Sequence, residues 1–234
     1  MLVDFDFKGM YVVVVGGGSE SYRKTPTFVE AGSKVVVVSK TFSTGIKKLH
    51  KTGKLELLQA EVKGGAEFVK NLKPKPDLLV AVTNDHSLNT ELVKHAKSAG
   101  CMVYSADNPV TSDFILPAVA KIGEVRIAIS TTGKSPAMAK ELRQRIEKLI
   151  TQEDLLQIKL QTHIRGILKK QIWDQKVRRR IIYEILENEE LKKLLKEGKF
   201  EEAKEMTKKI LENPVKNSSG KASVVNVNQS FQEA

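Results

Sequence analysis

The stretch YVVVVGGGSESYRK, residues 11–24, runs four valines into three glycines and on into a segment of helical character. A strand that is apolar at every position has to be covered on both faces, which is the condition of a parallel sheet lying between helices. Glycines at its end allow a tight turn and let another group come close to the backbone. The rest of the first half repeats the theme. Apolar, mostly β-branched runs recur at 34–38, about 55–59, 77–82 and 101–105, and helical patterns at 19–31 and 86–99 are followed by Gly32 and Gly100 at the position past a helix end. The expected fold class is α/β, with a Rossmann-like parallel sheet first.

Two further strands are expected at about 114–120 and 124–130, and after TTGKSP the pattern becomes helical to about residue 212. Ser135 as N-cap and Pro136 at the first helical position open one helix, on which Met138, Leu142, Ile146 and Leu149 share a face. The expected organisation is a Rossmann domain over 1–112, a small α+β region over 113–150, a C-terminal helical domain over 151–212 and a disordered polar tail over 213–234. There is no internal repeat.

Gly16, Gly18 and Ser21 stand at the glycine positions of a GxGxxG turn, with Ser21 in place of the last glycine. After a strand and before a helix, that turn suits a dinucleotide pyrophosphate resting on helix N–H groups. One expected residue is missing: the second strand ends in Ser39 and Lys40, where an Asp or Glu would hold the ribose hydroxyls. Lys40 leaves a 2′-phosphate open as an alternative. A second phosphate-like run, STTGKSPA, ends like a P-loop, but Ala128 stands where that loop needs its first glycine. A capped helix start that touches an anionic substrate is the better reading of Thr131, Lys134 and Ser135.

A net charge of +11 calls for a partner or an explanation. Much of the excess lies after residue 140, interleaved with glutamates as on a solvated helix face. KVRRR at 176–180 could face DNA, but no groove-reading motif accompanies it, and neither nucleic acid nor membrane is expected as a partner. The N-terminus lacks a signal-peptide pattern, so a cytoplasmic protein is expected. The single Cys101 reads as a core residue opening a strand, Trp173 as a helix-packing anchor, and His86 as a helix-start residue rather than a metal ligand.

Taken together, GGGSESYRK, AGSKVVVVSKTF, VAVTNDHSLN, SADNPVTSDFILPAV and RIAISTTGKSPAMAKELR resemble, in order and spacing, the precorrin-2 dehydrogenase and sirohydrochlorin ferrochelatase family. This is the dehydrogenase module of sirohaem synthase, and the resemblance covers roughly residues 1 to 212. It implies a Rossmann domain followed by a dimerisation region and a helical domain. It also implies oxidation of precorrin-2 to sirohydrochlorin with NAD as cofactor in sirohaem (porphyrin) biosynthesis, and in some members insertion of ferrous iron. A homodimer is implied, with methylation carried out elsewhere.

Matched residue by residue, Asp107 in SADNP is the implied catalytic aspartate. Gly16, Gly18, Ser19 and Glu20 fall at the pyrophosphate turn, Lys40 and Thr41 near the adenosine, and Thr83 and Asn84 beside the cofactor. An acidic residue is common in the family where Asn84 and His86 stand here. Without the resemblance, Asp107 reads first as a turn-former before Asn108 and Pro109. A nucleotide-sensing Rossmann module without catalysis is the alternative function.

Overall fold

In strand β1, Tyr11–Val15, the four valines are at most 1% exposed and point alternately into two different cores. Val12 and Val14 meet Phe28, Val35, Val37, Leu78 and Val80 on one side. Val13 and Val15 meet Leu79, Ala81, Leu92 and Val103 on the other. That double burial is why the run carries no polar alternation. The structure, a computed structural model, describes residues 2–212, and the tail expected to be disordered lies outside them. The chain divides into two compact units, one ending at Leu116 and one beginning at Pro117.

The first unit alternates β1, α1 (Ser19–Glu30), β2 (Lys34–Ser39), α2 (Thr44–His50), β3 (Leu55–Gln59), α3 (Gly65–Asn71), β4 (Leu78–Ala81), α4 (His86–Ser98) and β5 (Met102–Ser105). Every pairing is parallel and the strand order is β3-β2-β1-β4-β5. Helices α1 and α2 bring Phe28 and Ile46 to one face, and α3 and α4 bring Val69, Leu92 and Ala96 to the other. Gly32 and Gly100 end α1 and α4 with φ of 81° and 76°, the left-handed conformation expected of them. Cys101 is buried just before β5, and burial pushes its thiol pKa up, as suits an inert core residue.

Strand β5 is the sheet edge, and the chain that follows it closes that edge. After a 3-10 turn at Pro109–Thr111, Asp113 accepts the Val103 N–H at 2.8 Å through Oδ2 and returns its own N–H to the Val103 carbonyl at 3.0 Å. Ser112 Oγ accepts the Ser105 N–H at 2.9 Å, and Lys97 Nζ lies 2.9 Å from Asp113 Oδ1. These side chains do the work of a missing neighbour strand and leave no free ladder on this side of β5. They also correct an expectation. Strand was expected from about 114, but the backbone there is still folded against β5, and β6 begins only at Ala118.

The second unit opens with an antiparallel hairpin, β6 (Ala118–Ile122) and β7 (Val125–Ile129). Helix α5, Pro136–Glu147, follows, and the Ser135 hydroxyl accepts the Met138 N–H at its start, as expected. Its expected apolar face is only partly covered among the described residues: Leu142 and Ile146 are half-buried, Met138 is 41% exposed and Leu149, beyond the helix end, 72%. Helices α6 (Gln152–Gln171), α7 (Gln175–Glu187), α8 (Glu189–Lys196) and α9 (Phe200–Glu212) surround Leu160, Ile164, Leu168, Ile185, Leu191 and Leu195. Intrahelical pairs such as Arg143–Glu147 and Lys192–Glu189 bear out the solvated basic faces.

Trp173 is a clear miss. It is 97% exposed, because α6 ends at Gln171 and α7 starts at Gln175, leaving the indole on the connection rather than on a packed face. Arg178, from the basic cluster, donates to the carbonyls of Ile172 at 2.6 Å and Trp173 at 2.9 Å and so closes the end of α6. Among the described residues no helix is long and apolar enough to cross a membrane.

The edge of β5 gives the first prediction. Asp113→Ala leaves the Val103 N–H buried without its acceptor. It is expected to lower unfolding stability by about 1–3 kcal/mol, read from the urea midpoint, whereas Lys97→Ala, which removes only the exposed ion pair, should change it by less than about 1 kcal/mol.

Candidate active site

The order of the sheet reverses between β1 and β4, and in such sheets ligands bind beyond the strand ends at that point. The glycine turn lies there. A Cβ on Gly16, where φ is 126°, would stand 2.4 Å from the Val82 carbonyl oxygen, and one on Gly17 would stand 2.2 Å from that of Thr41. Gly18 has open space above it and precedes α1 with no side chain capping the helix start. Bare backbone therefore faces the cleft at an uncapped helix N-terminus, the arrangement that takes a phosphate. Ser21 is fully buried, in contact with Thr25 Oγ1 at 3.5 Å, so a small residue is needed where the third glycine would be.

The cleft encloses about 460 Å³. Of the expected cofactor residues, Gly16, Gly18, Lys40, Thr41, Thr83 and Asn84 line it. Ser19 and Glu20 form the first turn of α1 beside it, with Glu20 paired to Arg23 at 2.6 Å. Glu61, two residues past β3, lines the same cleft and holds Lys40 Nζ at 3.2 Å. Lys40 is thereby drawn toward a carboxylate at the rim. Nothing near residue 39 pointed to Glu61, since the pairing spans 21 residues.

At the far side of the cleft the ends of β4 and β5 are joined through Asn89 of α4, which is 1% exposed. Its Oδ1 accepts from the Thr83 N–H at 3.1 Å and the Thr83 hydroxyl at 2.7 Å. Its Nδ2 donates to the Thr83 carbonyl and to Asp107 Oδ2, each at 3.1 Å. Asp107 also accepts from the Ser105 hydroxyl, 2.5 Å from Oδ1, and lies 2.5 Å from His86 Nδ1 through Oδ2. Burial is the largest single influence on this carboxyl and acts to raise its pKa. The hydrogen bonds from Ser105, Asn89, His86 and its own backbone outweigh it together and hold the pKa below the ordinary value. Asp107 is therefore an ionised acceptor, well beyond what a turn-forming Asp requires.

His86 is the first residue of α4, as expected from the sequence, but its bond to Asp107 was not foreseen. Thr131, Lys134 and Ser135 belong to the second unit, in the turn between β7 and α5. The Lys134 N–H reaches the Thr131 carbonyl at 3.0 Å and the Ser135 N–H reaches Thr131 Oγ1 at 3.1 Å. Thr132 has φ of 52° and Gly133 79°, and a left-handed β-branched residue is a strained backbone position. Among the described residues no group of three or more His, Cys, Asp or Glu side chains is placed to hold a metal ion.

Comparison with known proteins adds family context. Residues 3–118 match a family model described as "Putative NAD(P)-binding", and residues 123–149 one described as "Sirohaem biosynthesis protein central". A protein of Methanocaldococcus jannaschii named "Putative precorrin-2 dehydrogenase" is 36% identical over 81% of this chain and 93% of its own length. The precorrin-2 dehydrogenase of Methanosarcina barkeri is 30% identical over 79% of this chain and 81% of its own length. The "Siroheme synthase" of Blochmanniella pennsylvanica is 29% identical over 92% of this chain but only 44% of its own length. Among solved structures, one of "SirC, precorrin-2 dehydrogenase" shares the fold with a TM-score of 0.69 at 24% identity, over 88% of this chain and 99% of that one.

The Lys40–Glu61 pair carries a prediction about nucleotide choice. Glu61→Gln removes the carboxylate that occupies Lys40 and repels a 2′-phosphate, so the ratio of NADP to NAD affinity should rise by roughly fivefold to tenfold, about 1 kcal/mol. Titration calorimetry with both nucleotides checks it. An unchanged ratio would mean that Glu61 does not select.

Proposed function

The chain belongs to the precorrin-2 dehydrogenase family, which the dehydrogenase portion of sirohaem synthases shares, and from that premise we propose that it oxidises precorrin-2 to sirohydrochlorin with NAD. The observation that carries the reading is the ionised Asp107 at the end of β5, tied through Asn89 to Thr83 on the cleft wall. A nucleotide-sensing module would account for the glycine turn but would leave this anchored carboxylate without a use.

Gly16 makes the turn, its own N–H held by the Val38 carbonyl, while Gly17 and Gly18 would take the pyrophosphate on backbone N–H groups, and Thr83 and Asn84 would flank the nicotinamide end. When bound, NAD supplies the hydride acceptor. The chain's own task is then to orient the macrocycle and remove a proton, and Asp107 is the anchor of the proton-removing centre. Thr131, Lys134 and Ser135 are assigned to the carboxylates of the substrate. Lys134 offers the charge and the strained turn presents it. Insertion of ferrous iron into the product is supported by no observation among the described residues and forms no part of the proposal.

The proposal includes a homodimer. The partly exposed hairpin and the uncovered Met138 and Leu149 offer an apolar surface that a second copy would cover. It also places the reaction in the cytoplasm, where NAD is available and the lone thiol of Cys101 stays reduced.

Two experiments follow. Asp107→Asn keeps the shape of the side chain but loses its charge. Growth of sirohydrochlorin absorbance under anaerobic conditions should slow by roughly 10²- to 10⁴-fold, with NAD affinity unchanged. Near-normal turnover would remove Asp107 from the mechanism. Light scattering at micromolar concentration should give the mass of a dimer, and a monomer would contradict the assembly.

A further inference from the structure

Both oxygens of Asp107 are already engaged. Oδ1 takes the Ser105 hydroxyl at 2.5 Å, while Oδ2 takes Asn89 Nδ2 at 3.1 Å and His86 Nδ1 at 2.5 Å. The carboxylate lies behind its donors with its side chain 17% exposed, whereas the His86 side chain in front of it is 83% exposed. An ionised carboxylate can only accept, so the bond at Nδ1 fixes the hydrogen of the imidazole there. In the neutral ring that leaves Nε2 as a lone-pair acceptor. From these contacts we infer that His86 is the residue that takes the proton in the dehydrogenation, with Asp107 a positioning residue that holds the ring and balances the charge it gains.

The inference rests on the proposed function and deepens it. As precorrin-2 is oxidised, one C–H bond breaks with its electron pair going to the nicotinamide of NAD, which becomes NADH. A second hydrogen leaves as a proton to Nε2 of His86, and the pair from its broken bond becomes the new π bond of the macrocycle. The imidazolium then returns the proton to water. Two hydrogens and two electrons leave the substrate and both are accounted for.

A histidine held by a carboxylate is a recurring proton acceptor, whereas a carboxylate held below its ordinary pKa by its donors is a weak one. The backbone under His86 is fixed by the α4 start, where the Thr90 hydroxyl donates to the His86 carbonyl at 2.8 Å. Asp107 faces the ring from the β5 loop, while Asp85, next to His86 in sequence, caps α4 with Oδ1 on the Leu88 N–H at 3.0 Å.

The test uses the full chain with NAD and precorrin-2. His86→Ala and His86→Gln should bind NAD as the wild type does, since the ring is exposed, yet turn over roughly 10²- to 10⁴-fold more slowly. Added imidazole should restore much of the rate to His86→Ala but none to Asp107→Asn. Without substrate, nitrogen NMR of the His86 ring should show the hydrogen on Nδ1 in wild type, with that preference lost in Asp107→Asn. If the wild type does not convert precorrin-2 at all, the proposed function falls and this inference with it. If it converts precorrin-2 while His86→Ala keeps its rate, or is slow but not rescued by imidazole, or if the wild-type ring does not carry its hydrogen on Nδ1, the inference alone is overturned.

Discussion

The amide of Asn89 joins two strand ends that the sheet itself leaves apart. β4 and β5 are paired only as far as Ala81 and Ser105, and beyond that register their chains diverge into the loops that carry Thr83 and Asp107. Asn89 accepts twice from Thr83 and donates once to each loop, so its full hydrogen-bonding capacity is used in a place that water does not reach. A buried amide with all partners present holds its geometry closely, because any displacement leaves an unsatisfied polar group. The cleft wall and the Asp107 carboxylate are thereby held in one arrangement, and the glycine turn across the crevice completes it.

Charge is distributed to the same end. The chain is strongly basic, yet its excess lies largely on helices of the second unit, where neighbouring glutamates pair with it. In the cleft, Lys40 is matched by Glu61 and α1 is left uncapped, so the field that remains for an anion comes from backbone N–H groups. Behind Thr83 of the cleft wall, and joined to it through Asn89, Asp107 is kept ionised by donors that outweigh its burial.

The sheet was legible in the sequence because its signals are local. Valine runs mark doubly buried strands, and glycines mark the turn and the helix ends, so β1, β2, α1 and α4 fall where the pattern put them. Lys40 was read from the end of β2, and Asp107 and the cleft-lining Thr41, Thr83 and Asn84 were reached through motif order. What could not be read was contact between segments distant in sequence. Glu61 meets Lys40 from 21 residues further on, Asn89 lies on the buried side of α4, where an amphipathic pattern calls for no polar residue, and His86 meets Asp107 from 21 residues away. The wrong expectations have the same origin. Trp173 is placed by where α6 stops, and the late start of β6 by side chains that close the edge of β5.

The central claim is that the anchored carboxylate beside a dinucleotide cleft serves oxidation rather than sensing. An anaerobic single turnover with purified protein, NAD and precorrin-2 tests it most directly, following NADH and sirohydrochlorin absorbance together. The account predicts that the two appear at the same rate and in equal amounts. NAD binding of ordinary affinity with neither signal would contradict it and leave the chain a nucleotide-binding module.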